Sequence, residues 1–280
     1  VVGTPGGPAA ARLDAWLDED APYGDLTTDL LAIHSVPGRM TFAARSAMVL
    51  AGVEAAAALL ERAGASPRDV RPSGTRLAEG EAFLVAEGPA GALHRAWKVA
   101  QTLVEYASGI ATTARRVVDA AGPEVVVACT RKSFPGTKAI SVDAVRAGGA
   151  VMHRLGLSET VLVFPEHRAF LDAAPATWLA ELKTRAPERK IVVETDDVAD
   201  AVALARAGAD VLQVEKRSPA ALAELAAAVR AVAPEVVIAA AGGVDATNAA
   251  SYARAGANVL VTSAPFFARP CDVQVTLAPS

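Results

Sequence analysis

From residue 125 onward the chain alternates short, apolar, β-branched runs with longer stretches of helical spacing. The runs are VVVAC (125–129), TVLVF (160–164), KIVVET (190–195), DVLQVE (210–215), VVIAAA (236–241) and NVLVTS (258–263). Helical stretches at 138–148, 175–186, 197–207, 218–232 and 245–255 separate them. Strands that alternate with helices predict a parallel sheet with right-handed crossovers. Runs that stay apolar at every position, instead of every second one, belong to strands covered on both faces. No Gly-rich dinucleotide fingerprint follows the first run, so the pattern favours a barrel over a doubly wound sheet. The expectation is an α/β barrel of about six parallel strands.

The first hundred residues read differently. Leu13, Trp16 and Leu17 form the apolar stripe of a short helix over 12–19. The segment EDAPYGDLTTDLL (19–31) is rich in acids and turn residues, with Thr27 or Thr28 as a helix cap. A strand is expected over 39–50, a helix over 54–65 ending at Gly64, and a turn and strand over 75–88 around Gly80-Glu81. Helices follow at 94–107 and 112–122, joined through the small residues of SGIAT (108–112). This part is a small α+β unit.

Composition narrows the possibilities. Of 280 residues, 52% are apolar but only 5% aromatic, a mix suited to short helices packed closely on strands. A net charge of −4 gives no support for a nucleic-acid or membrane-surface partner. Cys129 and Cys271 lack CxxC spacing, which suggests neither a disulfide framework nor a zinc site. No apolar run reaches the length of a membrane span. VVGTPGGPAA (1–10) has neither a basic region nor an apolar core, so it reads as an irregular lead-in, and the expected compartment is the cytoplasm.

In a parallel barrel, chemistry gathers where strands end. There stand Thr130, Arg131 and Lys132, then His153 and Arg154 in the next crossover, then Phe164, Pro165, Glu166 and His167. Further on come Glu194, Glu215 with Lys216, the pair Gly242-Gly243, and Thr262 with Ser263. Glu194 and Glu215 could hold Mg²⁺, which needs only one or two carboxylates beside ligand oxygens. Gly242-Gly243, before a helix expected near Asp245, lets backbone N–H groups approach a phosphate. Arg131, Lys132, His153 and Arg154 suit anionic oxygens, arginine in a bidentate manner. Each also has a plain alternative as a solvated strand-end charge or a tight turn. Cations for several anionic groups with acids for one divalent metal fit glycosyl transfer from a phosphorylated sugar. His34 and His94 have no such company and read as structural or surface residues.

TRKSFPGTK, GGAVMHRLGL, VVETDD and AGG, with YGDLTTDLL and SGIAT, resemble motifs of the type II phosphoribosyltransferases related to quinolinate phosphoribosyltransferase. The resemblance spans nearly the whole chain. It implies an N-terminal α/β sandwich domain at 1–107, to which 269–280 return, and an open α/β barrel at 108–268. It also implies a homodimer whose active site the partner's sandwich domain completes, with phosphoribosyl pyrophosphate, an acid acceptor and Mg²⁺ as ligands. By this resemblance Glu194, Glu215 and Lys132 form the catalytic set, and Glu194 and Glu215 hold the metal. Arg131, His153, Arg154, Lys98, Phe164 and Lys216 contact substrates, while Gly242, Gly243 and Ser263 bind phosphate.

Several positions depart from the pattern. Lys98 stands where the family has an arginine, which keeps the charge and loses the fork. Phe164 replaces a lysine of the acid pocket, Ala241 a serine, Lys216 an asparagine, and Phe266-Phe267-Ala268 a THS segment. A dicarboxylate would lose partners in such a pocket. The replacements resemble the branch of the family associated with molybdenum transport, and imply an acceptor less anionic than quinolinate. Two alternatives stand beside this: a quinolinate phosphoribosyltransferase of NAD synthesis with a remodelled pocket, and a non-catalytic protein that binds an anion or phosphosugar.

Overall fold

The computed structural model describes residues 8–280. Residues 1–7 of the expected lead-in lie outside the described residues, and Ala10 already belongs to a helix. The chain forms two compact units. One comprises residues up to 115 with 133–149 and 265–280, and the other 116–132 with 150–264.

The first unit begins with α1 (Ala10–Asp20) and α2 (Leu26–Leu30). The cap of α2 is Asp25, whose carboxylate accepts from Thr27 N–H at 3.0 Å, not either threonine as expected. Asp is the better acceptor at a cap, and Thr28 spends its own hydroxyl on the same carboxylate. β1 (Pro37–Ala44) and β2 (Met48–Val49) divide the strand expected at 39–50. α3 (Val53–Ala63) ends at Gly64, which sits at φ +101° as a left-handed cap. β3 (Ser66–Arg68), β4 (Arg76–Leu77) and β5 (Ala82–Pro89) follow.

α4 runs unbroken from Ala90 to Ala121, where two helices were expected. Small residues of SGIAT mark close packing here, not a break. Ser108 and Thr112 accept hydrogen bonds from the backbone N–H groups of Ala51 and Val49 at 3.0 and 2.9 Å. Gly109 lies against the backbone of Arg269 and Pro270, where a Cβ would collide with the Arg269 carbonyl.

The second unit is built on a parallel sheet. Its strands begin with β6 (Val126–Cys129). The chain then contributes α5 (Lys138–Ala147) to the first unit, where Ala144 packs with Ala107 and Ala111. It returns as β7 (Val151–Met152), β8 (Val161–Val163), α6 (Pro165–Arg168) and α7 (Pro175–Arg185). β9 (Ile191–Thr195), α8 (Val198–Arg206), β10 (Val211–Glu215), α9 (Pro219–Arg230), β11 (Val237–Ala241), α10 (Ala249–Arg254) and β12 (Val259–Thr262) complete it. All six apolar runs became strands. The sheet order is β7-β6-β12-β11-β10-β9-β8, so an open α/β half-barrel of seven parallel strands replaces the expected six. The seventh, β7, is two residues long and has no run to betray it.

The last strand, β13 (Val273–Pro279), belongs to the first unit and pairs antiparallel with β1 from Val273 opposite Ala44 to Pro279 opposite Gly38. The first unit's four-stranded sheet has the order β13-β1-β5-β3, and Met40, Phe42 and Leu84 are fully buried on it. The first unit therefore takes 133–149 as well as the C-terminal strand, and its division from the second at 115 differs from the expected one at 107. Cys129 and Cys271 are free thiols, and burial pushes the Cys129 thiol up to about 12, which leaves it inert. Among the described residues no helix is long and apolar enough to cross a membrane.

Gly109→Ala is expected to destabilise the protein by about 1–3 kcal/mol, the usual cost of overpacking a tight contact. Urea unfolding measures this, and an unchanged midpoint would mean that the Arg269 segment gives way freely.

Candidate active site

Parallel pairing brings the carboxyl ends of all seven strands to one edge of the sheet, and alternation decides which side chains share a face. Ala239, Ala241 and Val261 are buried together, with Val211 and Val259 packed against them. Gln213 and Glu215 share the face of Val211 by their spacing of two. Gln213 lies opposite Glu194 in the β9–β10 register. Its Nε2 donates to Glu194 Oε2 at 2.6 Å. Gln213 is only 5% exposed, and its Oε1 is buried without a hydrogen-bond partner. Burial raises the Glu194 carboxyl above its ordinary pKa, the Gln213 hydrogen bond opposes this, and the charges of Glu215 and Glu166 push it further up.

Glu215 is tied to the diglycine turn. A Cβ on Gly242 would come within 2.9 Å of Glu215 Oε1 and 2.6 Å of Lys216 Cγ. Gly242 and Gly243 both have positive φ, +82° and +77°, and the space beside Gly243 is open. Lys216, itself at φ +53°, holds its ammonium 3.7 Å from Glu215 Oε1. The expected helix start near Asp245 is corrected. α10 begins at Ala249, and the intervening turn is closed by Asn248 Oδ1, which accepts from the Asp245 N–H at 2.9 Å, and by Asp245 Oδ1, which accepts from the Thr247 N–H at 2.8 Å. Any phosphate contact at Gly242-Gly243 would therefore come from the turn itself.

The opposite side of the sheet's edge carries the cations. Arg154 is 7% exposed, yet it has no carboxylate partner among the described residues. Its guanidinium carbon lies 5.6 Å from the centre of the Phe164 ring. Burial, and then the nearby charge of Arg131, lower its pKa. Burial also lowers His153, with the Arg154 charge second, so this ring is neutral at pH 7. Phe164 in turn stacks on His167 with centroids 5.6 Å apart and planes at 15°. The Phe164 backbone N–H donates to His167 Nδ1 at 2.9 Å, so Nδ1 acts as the acceptor in this contact.

α6 holds this stack in place through a paired arginine. Arg168 donates twice to Asp200, at 2.7 and 2.6 Å, and Thr195 Oγ1 donates to the same carboxylate at 2.7 Å. Burial alone would raise Asp200, but these hydrogen bonds outweigh it and the carboxyl lies below its ordinary value.

Two family models match the chain. The quinolinate phosphoribosyl transferase N-terminal domain matches residues 25–108 and the C-terminal domain residues 110–276. The chain belongs to the quinolinate phosphoribosyl transferase family. It is an enzyme of the pentosyltransferase class. It is 48% identical over 250 residues to the ModD protein of Rhodobacter capsulatus, covering 87% of this chain and 95% of that one. It is 32% identical over 255 residues to the carboxylating nicotinate-nucleotide pyrophosphorylase of Mycobacterium leprae, covering 89% of each. NadC from Streptococcus pyogenes has the same fold, with a TM-score of 0.88 at 24% identity over 96% of this chain and 95% of that one.

Within this family member the expected site residues fall into groups. Glu194, Glu215, Lys216 and Gly242 lie together on β9, β10 and the turn after β11. Arg131, Arg154 and Phe164 line one cavity, with His153 beside Arg154. Lys132 is exposed next to Arg131. Ser263 shares a 2.7 Å hydrogen bond with Thr130. Lys98 is elsewhere: it belongs to the first unit, 4.6 Å above the Trp97 ring and 3.2 Å from Gln101 Oε1. Sequence reasoning missed Gln213, although a lone amide inside DVLQVE was a visible signal. It also gave His167 no role, because stacking on Phe164 needs the turn of α6.

The raised pKa of Glu194 has a consequence for stability. The folded state holds this proton more tightly than the unfolded chain, so stability falls as pH rises from the ordinary carboxyl value through the raised one. In metal-free protein, Glu194→Gln is expected to flatten that fall. Unfolding midpoints measured from pH 4 to 8 check this, and identical slopes for both proteins would refute it.

Proposed function

We propose that the protein is a Mg²⁺-dependent phosphoribosyltransferase that joins phosphoribosyl pyrophosphate to an aromatic or heterocyclic acid. Pyrophosphate is the other product, in line with the pyrophosphorylase name carried by its relatives. The observation that carries this reading is Arg154, a buried cation with no carboxylate partner among the described residues, at the same sheet edge as Glu194 and Glu215. A buried guanidinium left unpaired is costly, and an anionic ligand removes that cost. In the reaction, an acceptor nucleophile forms a bond to ribose C1 as the C1–oxygen bond to pyrophosphate breaks.

The carboxylates of Glu194 and Glu215 fit Mg²⁺, and the unpartnered Gln213 Oε1 beside them adds a hard oxygen of the kind this ion takes. Bound there, the ion would offset the charge that develops on the leaving pyrophosphate. Arg131 and Arg154 orient the acceptor's carboxylate, and Lys132 and the Gly242-Gly243 turn serve the phosphorylated ligand. Phe164 disfavours a second carboxylate in the acceptor pocket, which distinguishes this reading from a quinolinate enzyme of NAD synthesis. A link to molybdenum transport belongs to the same proposal, as what the resemblance in the sequence implies.

Calorimetric titration should show phosphoribosyl pyrophosphate binding that depends on Mg²⁺, with pyrophosphate released when an acceptor acid is added. Arg154→Ala should lower that release by about tenfold to a hundredfold, the loss of one charge-assisted contact of about 1.5–3 kcal/mol. Sugar binding with no acceptor turnover by any acid would point to the anion-binding alternative, and turnover of quinolinate to the NAD-synthesis one.

The same reading assigns Lys98 to a neighbouring subunit's acceptor pocket, and so calls for a homodimer. Light scattering at micromolar concentration should give twice the 28.6 kDa chain mass, and a monomer would count against Lys98 having this role.

A further inference from the structure

Among the described residues of the second unit, Lys216 is the one non-glycine residue with positive φ, at +53°. An L side chain takes this conformation against a steric penalty. The backbone is held in it, because the Lys216 N–H donates to the Ala241 carbonyl at 2.8 Å just beyond the last β10–β11 pair, Glu215 opposite Ala241. The lysine stem then crosses the diglycine turn in space that a Cβ on Gly242 would fill, 2.6 Å from Lys216 Cγ.

This course sets a cation beside two acids. The ammonium lies 3.7 Å from Glu215 Oε1, and the Lys216 side chain is 79% exposed where that of Glu215 is 31%. The cation thus stands toward solvent, with the carboxylate behind it. Its charge acts on Glu194 too, against burial and the charges of Glu215 and Glu166. Beside Glu194, Gln213 keeps a buried oxygen without a partner, which a bound ligand would satisfy.

We propose that Lys216 is the resident counter-cation of this site, holding Glu215 against a free divalent ion and passing to the pyrophosphate oxygens when phosphoribosyl pyrophosphate and Mg²⁺ bind together. The inference rests on the transferase reading and adds the order in which the metal is taken up. A divalent ion between Glu194 and Glu215 would lie within a few ångströms of the ammonium, and like charges that close repel even in a water-like medium. The oxygens of the pyrophosphate group remove that conflict by matching both cations. A lysine suits the transfer, being a point charge with three rotatable donors on a flexible stem. Mg²⁺ binds through one or two carboxylates plus phosphate oxygens, and the ammonium makes the phosphate oxygens a requirement. Metal and sugar ligand therefore each tighten the binding of the other.

Mn²⁺, an oxygen-seeking ion whose free form gives a spin resonance signal lost on binding, reports metal uptake without turnover. Lys216→Met keeps the stem and removes the charge, whereas Lys216→Arg keeps the charge. Without other ligands, Lys216→Met should bind Mn²⁺ about threefold to tenfold more tightly than the wild type, the effect of removing one unit charge near a divalent ion at moderate salt. Lys216→Arg should match the wild type. In excess Mg²⁺, calorimetry should show phosphoribosyl pyrophosphate binding Lys216→Met about threefold to tenfold more weakly, the loss of one exposed charge-assisted contact. Melting temperatures verify folding, and Lys216→Gly, which suits the positive φ, repeats the comparison without backbone strain.

Equal Mn²⁺ affinity of the wild type and Lys216→Met overturns the inference and leaves the transferase reading standing. So does tighter Mn²⁺ binding with unchanged affinity for phosphoribosyl pyrophosphate, or a Lys216→Arg protein that behaves as Lys216→Met does. A wild type that fails to bind phosphoribosyl pyrophosphate in excess Mg²⁺ overturns the transferase reading itself.

Discussion

Parallel pairing is the constraint on which the site depends. Once seven strands run the same way, whatever follows each of them emerges at one edge, however far apart the residues stand in sequence. Register then does the finer work. Val211 pairs with Val192 and Gln213 with Glu194, so an amide and a carboxylate meet on the same face one strand apart. Shifting β10 by a single residue would turn Gln213 and Glu215 away together. The apolar contacts of Ala239, Ala241 and Val261 beneath hold that register, and the small alanines allow the strands' inward side chains to fill the space without crowding.

Two arginines of the second unit show how differently a charge can be used. Arg168 meets Asp200 with two hydrogen bonds and ties α6 to the end of β9 and the start of α8. That pair is self-sufficient and structural. Arg154 is buried and has an aromatic ring, a neutral histidine and another arginine for company. Among the described residues no carboxylate compensates it. A protein that tolerates such a group gives up stability at that point, and sites that bind anions are where this arrangement serves a purpose. The paired arginine supports the unpaired one indirectly, since α6 carries the His167 ring on which Phe164 rests.

Much of the second unit was legible because each buried parallel strand is an uninterrupted apolar run, and every such run became a strand. The residues just beyond them were legible for the same reason: polar groups directly after a buried strand can only stand at its mouth. Other features left weaker traces. β7 is too short to show a pattern, and pairs only through Val151 and Met152. SGIAT looked like a break between helices because small residues serve loops and tight packing equally, and only the nearby backbone of Ala51 and Arg269 tells them apart. Asp25 was overlooked as a cap beside two threonines, where the stronger acceptor prevailed.

The amino-acid sequence by itself determined the strand and helix alternation, the family, and which charged residues lie at strand ends, since these follow from local periodicity and motif. Tertiary structure decided what those charges face. That Gln213 would hold Glu194 and leave one oxygen unpartnered, that Arg154 would be buried with no acid beside it among the described residues, and that the open edge of β8 would border an apolar cleft all depend on which strands neighbour one another. Burial and pairing are properties of neighbours in space, and a linear pattern of polar and apolar residues does not specify them.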